Sequence, residues 1–295
     1  APADQASTLR DGSAFRGARP AMNRSAILCL AVASGKGGVG KTFLSVNLAT
    51  ALAGFNRRVL LVDADLGLPN ADIALGAAPE LTLEDCLFGG APLESIVVRT
   101  PVGIDLLAAN SGTREMISLG EARLGQFVDE LLRFASRYDV LLFDCASGIN
   151  RSVTAFLAAA PQSVVVVQPE PSSLMDAYAL MKVLHQDGVE GAVSLVMNGV
   201  RDEAGCERIL AQLVAVTRRY LQCEPECLGR VPYSAEASRA MRVRQPLVRF
   251  APEDPAADAI RTIARRILRK QKAETTLKRL NASGLLEGML NRCRS

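Results

Sequence analysis

One short stretch, Ala33-Ser34-Gly35-Lys36-Gly37-Gly38-Val39-Gly40-Lys41-Thr42, limits what this chain can fold into. Gly35, four residues and then Gly40-Lys41-Thr42 reproduce the spacing of a phosphate-binding loop. Ahead of it runs Ile27-Leu28-Cys29-Leu30-Ala31-Val32-Ala33, an apolar segment with the length of a strand buried on both faces. Behind it Phe43, Val46, Leu48, Ala49 and Leu52 recur at helical intervals. In that context an ordinary glycine-rich turn is the weaker reading. Glycines let successive N–H groups turn inward around an anion without Cβ clashes. The helix start adds unpaired N–H groups and partial positive charge. Lys41 is then placed for the outer phosphates and the Thr42 hydroxyl for Mg²⁺.

The rest of the chain repeats that alternation. Strands are expected over 27–33, 58–63, 104–108, 138–144, 163–168, 192–198 and 227–232. Helical runs over 42–54, 121–136, 150–159, 172–186 and 203–221 lie between most of them, and runs over 234–243 and 255–270 follow. The pattern predicts an α/β fold: a mostly parallel, doubly wound sheet of about seven to eight strands flanked by helices. Three parts are expected: a flexible segment 1–25, a nucleotide-binding body 26–272 and a basic amphipathic tail 273–295.

Composition removes several alternatives. With 49% hydrophobic residues in 295, the chain can bury a full core. No apolar run approaches the ~20 residues of a membrane span, and residues 1–25 lack the apolar block of a signal peptide. Seven cysteines scattered through strand and helix patterns do not read as a disulfide framework, and a reduced cytosol fits best. The single histidine, His185, ends a helical run, where an imidazole near free carbonyls is the bland explanation. A multi-histidine metal site is therefore impossible within one chain.

Charge is divided unevenly. Residues 261–295 carry ten Lys/Arg against two Glu, although the whole chain has a net charge of only +3. Any attraction to an anionic surface belongs to that end. Leu277, Leu280, Leu285, Leu286, Met289 and Leu290 can share one side of a helix there, flanked by Lys278, Arg279, Arg292 and Arg294. Gly284 and Gly288 weaken such a helix by ~1 kcal/mol each relative to Ala. The segment either packs on its own domain or meets a membrane or partner, the second being favoured by its basic flanks.

Open parallel sheets place ligands at the carboxyl ends of their strands, and three aspartates are expected there. Asp63 ends the second strand, and Asp65 begins the loop Asp65-Leu66-Gly67-Leu68-Pro69-Asn70-Ala71-Asp72. Asp144 closes the apolar run Val140-Leu141-Leu142-Phe143. A carboxylate at a strand tip is the Walker-B arrangement for Mg²⁺, against which a helix N-cap is the competing structural reading. Asp65 is placed to orient an attacking water. Gly148, just past Asp144, allows the backbone to swing toward or away from a γ-phosphate.

Lys36-Gly37-Gly38-Val39-Gly40-Lys41-Thr42 resembles the deviant Walker A loop of the MinD/ParA/nitrogenase-iron-protein class, marked by its second lysine. Val62-Asp63-Ala64-Asp65-Leu66-Gly67-Leu68-Pro69-Asn70-Ala71-Asp72 is more similar to the MinD branch, and closer still to the FlhG/FleN flagellar-number ATPases. Ser111-Gly112-Thr113 and Asp176-Ala177-Tyr178-Ala179-Leu180 resemble the same group, over about residues 26–270. The opening Asp4-Gln5-Ala6-Ser7-Thr8-Leu9-Arg10 looks like the DQAxxLR activator segment of that family.

The resemblance implies ATP/ADP and Mg²⁺ as cofactors, held by Gly35, Lys36, Gly37, Gly38, Val39, Gly40, Lys41 and Thr42. Thr42, Asp63 and Asp144 would organise the Mg²⁺, and Asp65 the hydrolytic water. Lys36 would cross a two-fold interface to the partner's phosphates, giving an ATP-dependent homodimer. Its motive is that Lys36 has no obvious task in its own subunit once Lys41 holds the phosphates. Asn198 and Pro232 would meet adenine, although a plain turn residue before Gly199 explains Asn198 equally well. No guanine-reading Asn-Lys-x-Asp follows it, which favours ATP over GTP.

Asp4, Gln5, Ala6, Leu9 and Arg10 would stimulate an FlhF-type GTPase, with flagellar C-ring proteins or a flagellar transcription regulator as further partners. The implied location is the cytoplasm, with ATP-dependent peripheral attachment of the tail to the inner membrane at a cell pole, and no direct nucleic acid is expected. Phe43, Cys145 and Asn150 depart from the family pattern. Rival readings are a MinD/ParA-type positioning ATPase for division or DNA partitioning and an Mrp-type iron–sulfur carrier. Against the carrier, Cys223 and Cys227 are separated by three residues instead of two.

Overall fold

A computed structural model describes residues 27–110, 121–189 and 191–292, with side chains described except at 121, 122, 124, 151 and from 274 onward. The N-terminal segment bearing Asp4, Gln5, Ala6, Leu9 and Arg10, the Ser111-Gly112-Thr113 stretch and the leucine face of the tail lie outside the described residues or side chains.

Among the described residues eight strands form one sheet: β1 (Leu28–Ser34), β2 (Val59–Ala64), β3 (Val97–Arg99), β4 (Asp105–Leu107), β5 (Val140–Ser147), β6 (Gln162–Val167), β7 (Ala192–Val200) and β8 (Glu226–Pro232). Their order is β3-β4-β2-β5-β1-β6-β7-β8. Every neighbouring pair is parallel except β3–β4, which is antiparallel, Val97 opposite Leu107. Seven of these strands were legible as apolar runs. The edge strand β3 was not, because three residues, two of them Val, carry no measurable period.

The helices are α1 (Lys41–Gly54), α2 (Ala71–Leu75), α3 (Leu83–Leu87), α4 (Glu121–Phe134), α5 (Arg151–Ala159), α6 (Pro171–Gln186), α7 (Glu203–Leu221), α8 (Ala235–Arg242), α9 (Leu247–Phe250) and α10 (Pro255–Arg292). The sequence did not reveal α2, α3 and α9, each about one turn long. Its last body helix, expected to stop at 270, continues as unbroken helical backbone to Arg292.

Both faces of the sheet are buried. Along β1, Leu28, Leu30 and Val32 enter one core with α1, α2 and α10. Cys29, Ala31 and Ala33 enter the other with α3 to α7. The two-residue period of a strand sends neighbours to opposite faces, so a strand apolar throughout belongs between two helical layers. The α10 layer packs so closely on β8 that a Cβ at Gly229 would stand 2.7 Å from Ile263 Cγ1. Among the described residues no helix is long and apolar enough to cross a membrane. This architecture brings the carboxyl ends of β1, β2, β5, β6, β7 and β8 to one edge of the sheet.

Candidate functional site

The glycine-rich loop leaves β1 at Ser34 and enters α1 at Lys41. Gly38 (φ 78°) and Gly40 (φ 92°) hold left-handed backbone that side chains resist. Gly35 is required for another reason: a Cβ there would run into the Asp176 carbonyl of α6. Helices α5, α7 and α8 start with side-chain caps, from Asn150, Asp202 and Ser234. Helix α1 starts from Gly40 with no side-chain cap. Its N–H groups remain available to an anion. Lys41, the first residue of this helix, is buried.

Asp63 and Asp144 are register partners on adjacent strands β2 and β5, and both are buried. Their surroundings differ. Asp63 Oδ1 accepts the Asp65 N–H (3.2 Å), and its Oδ2 accepts those of Asn70 (3.0 Å) and Ala71 (2.9 Å). The carboxylate thus fixes the loop that carries Asp65 and caps the start of α2. These bonds describe loop organisation, a task the sequence did not show; the resemblance assigned Asp63 to Mg²⁺. Burial first, then the charge of Asp144, pushes its carboxyl well above the usual range, against the pull of those amides.

Asp144 Oδ1 accepts a 2.8 Å bond from Ser45 Oγ. Among the described residues, its Oδ2 is the only buried side-chain N or O atom without a hydrogen-bond partner. Burial raises this carboxyl too, while Thr42, Ser45 and the charge of Lys41 lower it. A buried carboxylate oxygen without a protein partner is costly, and a divalent cation beside the Thr42 hydroxyl would remove that cost. The donor set therefore fits Mg²⁺, all of it hard oxygen. Asp144 caps no helix, so the N-cap alternative does not hold; Asn150 caps the helix that follows.

Asp65 Oδ1 accepts the N–H groups of Gly67 (3.3 Å) and Leu68 (3.0 Å), a tight turn on the rim of the site. Gly148 (φ 90°) lies just beyond β5, and its N–H donates to Ser34 O at 2.9 Å, which ties the Asp144 strand end to the start of the loop. Cys145 is fully buried, and burial pushes its thiol well up.

Lys36 has partners in its own subunit, contrary to expectation. Its Nζ lies 3.3 Å from Glu170 Oε1 and 3.0 Å from Ser172 Oγ, at the start of α6. Asn198 donates Nδ2 to Val39 O at 2.8 Å, bracing the tip of β7 against the loop. Beside it a cavity of ≈ 440 Å³ is lined by Gly40, Phe43, Asn198, Pro232, Tyr233 and Met241, among others. Asn198 and Pro232 are thus brought together beside the loop.

Ser45, Glu170 and Ser172 were missed. Ser45 stands one turn beyond Thr42 on α1, a spacing that was readable. Glu170 follows the end of β6, but nothing in sequence paired it with Lys36.

The chain matches the CobQ/CobB/MinD/ParA nucleotide binding domain over residues 30–247. It is 36% identical to the antiactivator FleN of Pseudomonas aeruginosa, over 81% of this chain and 85% of that one. It is 34% identical to the flagellum site-determining protein YlxH of Helicobacter pylori, over 80% of each. Its fold is shared with the septum site-determining protein MinD of Pyrococcus horikoshii complexed with Mg-ADP. There the TM-score is 0.70 at 24% identity, covering 82% of this chain and 96% of that one.

Proposed function

The chain belongs to the CobQ/CobB/MinD/ParA nucleotide-binding family, as an ATPase of its MinD-like branch, and from that premise we propose an ATP-driven switch that governs flagellar number or placement. The observation that carries the ATPase reading is the unpartnered Oδ2 of Asp144 beside an uncapped helix start. The loop amides and Lys41 bind the phosphates; Thr42 and Asp144 hold Mg²⁺, with Asp63 fixing the neighbouring loop. Held by Thr42 and Asp144, Mg²⁺ would supply positive charge to the phosphates during hydrolysis. Asp65 orients the attacking water. Asn198 and Pro232 meet the base.

Lys36 completes the scheme by leaving its own subunit. Its contacts with Glu170 and Ser172 are half-exposed, and such pairs contribute roughly 0–1 kcal/mol. A triphosphate on a second copy competes easily. A charge supplied in trans contributes a large factor, by analogy with the ~10³–10⁵ of an arginine finger. ATP then makes the dimer and hydrolysis releases it. Mass measurements with ATP, ADP and no nucleotide test this: the wild type doubles only with ATP, and Lys36→Ala does not. If Lys36→Ala still dimerised with ATP and hydrolysed it at the wild-type rate, the trans role would be wrong.

The flagellar assignment is supported by the similarity to the flagellum site-determining protein YlxH and by the Asp4-Gln5-Ala6-Ser7-Thr8-Leu9-Arg10 motif. We place stimulation of an FlhF-type GTPase on Asp4, Gln5, Ala6, Leu9 and Arg10. A peptide of residues 1–25 should stimulate it, and Gln5→Ala should reduce the effect. The basic tail attaches the ATP dimer to the inner membrane at the cell pole. Four bases at ~1 kcal/mol each bind only weakly, and pairing two tails raises avidity by ~10²–10⁴. Liposome sedimentation must then favour the ATP form over the ADP form.

A further inference from the structure

We propose that Tyr233, held by Arg201, and Phe43 are the stacking walls for the nucleotide base, and that Arg201 is a positioning residue setting base affinity. This rests on the nucleotide reading above and deepens it.

The Arg201 guanidinium carbon lies over the Tyr233 ring, 3.3 Å from its centroid. A flat cation at that separation is in stacking contact and attracted by the ring's π face. Tyr233 is nonetheless 50% exposed, so nothing else in the described structure buries it fully. The two residues sit one step beyond paired strand ends: Val200 of β7 is the register partner of Pro232 of β8. The Tyr233 N–H donates to Val200 O at 2.8 Å, which locks the two tips together. One face of the ring is thus taken by Arg201, while Tyr233 itself lines the ≈ 440 Å³ cavity.

Gly40 lines the same cavity, so a nucleotide with its phosphates on Gly35–Thr42 has its sugar and base there. Phe43, the departure from the family pattern immediately after Thr42, turns out to line it as well. Phe43, Tyr233 and Met241 supply flat or adaptable apolar surface, and Asn198 and Ser234 supply polar edges. That is the composition of a slot for a planar heteroaromatic ring. By ordering Tyr233 before the ligand arrives, Arg201 removes part of the cost of binding.

The experiment compares ADP with inorganic tripolyphosphate, which offers phosphates and no base, by calorimetry on the full chain. Arg201→Ala should weaken ADP about threefold to tenfold and leave tripolyphosphate unchanged, and Arg201→Lys should recover part of the loss. Because the chain has four tyrosines and no tryptophan, its emission is tyrosine emission. ADP should quench part of it in the wild type, and Tyr233→Phe, which keeps a stacking ring, should bind ADP without that quench. Equal weakening of ADP and tripolyphosphate in Arg201→Ala, no weakening of either, or a quench that survives in Tyr233→Phe overturns the proposal. A wild type that binds tripolyphosphate but not ADP overturns the base slot alone. One that binds neither removes the nucleotide reading and the slot with it.

Discussion

Strands β2 and β5 run side by side, and their two ends treat charge in opposite ways. At the amino ends Arg58 faces Asp139, with Nε at 3.2 Å from Oδ2 and Nη2 at 3.0 Å from Oδ1. The Arg58 N–H also donates to Asp139 Oδ2, and Arg58 O accepts from the N–H groups of Asp139 and Val140. Every group in this clasp is matched and wet, and the Arg58 hydrogen bonds hold the Asp139 carboxyl below its usual range. At the carboxyl ends Asp63 and Asp144 are paired in register, buried, and pushed above theirs. The amino end uses its charges to fasten two strands. The carboxyl end holds two buried carboxylates side by side, one of them with an oxygen that no donor reaches, a cost that function explains and stability does not.

The sharpest way to break this comparison is to neutralise the carboxyl end. Asp144→Asn keeps an acceptor for Ser45 Oγ and removes the buried charge. Hydrolysis should fall ~10²–10³-fold, the scale of losing one preorganised charge-stabilising group. The nucleotide-free protein should melt several degrees higher, since a buried unpaired carboxylate is replaced by a neutral isostere. A phosphate-release assay measures the first and melting curves the second, and the stabilisation by Mg-ADP should shrink. A lower melting point with the Mg-ADP shift intact would make Asp144 a structural residue like Asp139.

Asp63→Asn separates the two carboxylates from each other. The asparagine amide cannot accept from Asp65, Asn70 and Ala71 together, so at least one N–H loses its partner, at ~1–3 kcal/mol. Relief of a buried charge offsets part of that. The larger effect is on Asp65, whose loop loses its anchor. Turnover should drop roughly 10- to 100-fold with little change in nucleotide affinity, a split that steady-state kinetics and calorimetry resolve. Equal loss in both would return Asp63 to the metal group.

How far the sequence could be read follows the same division. The sheet was legible because β1, β2, β5, β6 and β7 are apolar on both faces, a pattern that only a doubly covered parallel sheet requires. Asp63, Asp65 and Asp144 were legible as strand-end carboxylates. What each one does was not, since it depends on which amides of the Asn70–Ala71 turn fold back onto Asp63. The partnership of Lys36 with Glu170 joins residues 134 apart and has no local signature. Ser45 was within reach: it follows Thr42 by one helical turn, on the face that meets Asp144.

Ser45→Ala tests that contact and sits between the large and small effects. Removing the hydroxyl leaves Asp144 Oδ1 buried without its 2.8 Å donor. The nucleotide-free protein should lose ~1–3 kcal/mol, seen as a lower denaturation midpoint. Mg-ADP should restore more of the stability in this variant than in the wild type, because the cation then serves an oxygen that lost its partner. A variant with unchanged midpoint would mean that the carboxyl end is already satisfied and the contrast with the amino end overstated.

The smallest effect is expected at the amino end. Asp139→Asn removes the charge from an exposed clasp while keeping the strand pairing through Arg58 O, and exposed pairs of this kind contribute little. The melting point at neutral pH should fall by about a degree or two, with hydrolysis unchanged. The sign with pH is fixed by the direction of the shift. A carboxyl held below its usual range in the folded state stabilises above its unfolded value, near ~3.9, and that stabilisation is lost as pH falls through the folded value. The difference between wild type and Asp139→Asn should therefore be constant from neutrality to about pH 5 and vanish in stronger acid. A difference that grows on acidification, or a loss of hydrolysis from this far end, would show that the two ends of β2 and β5 are not independent.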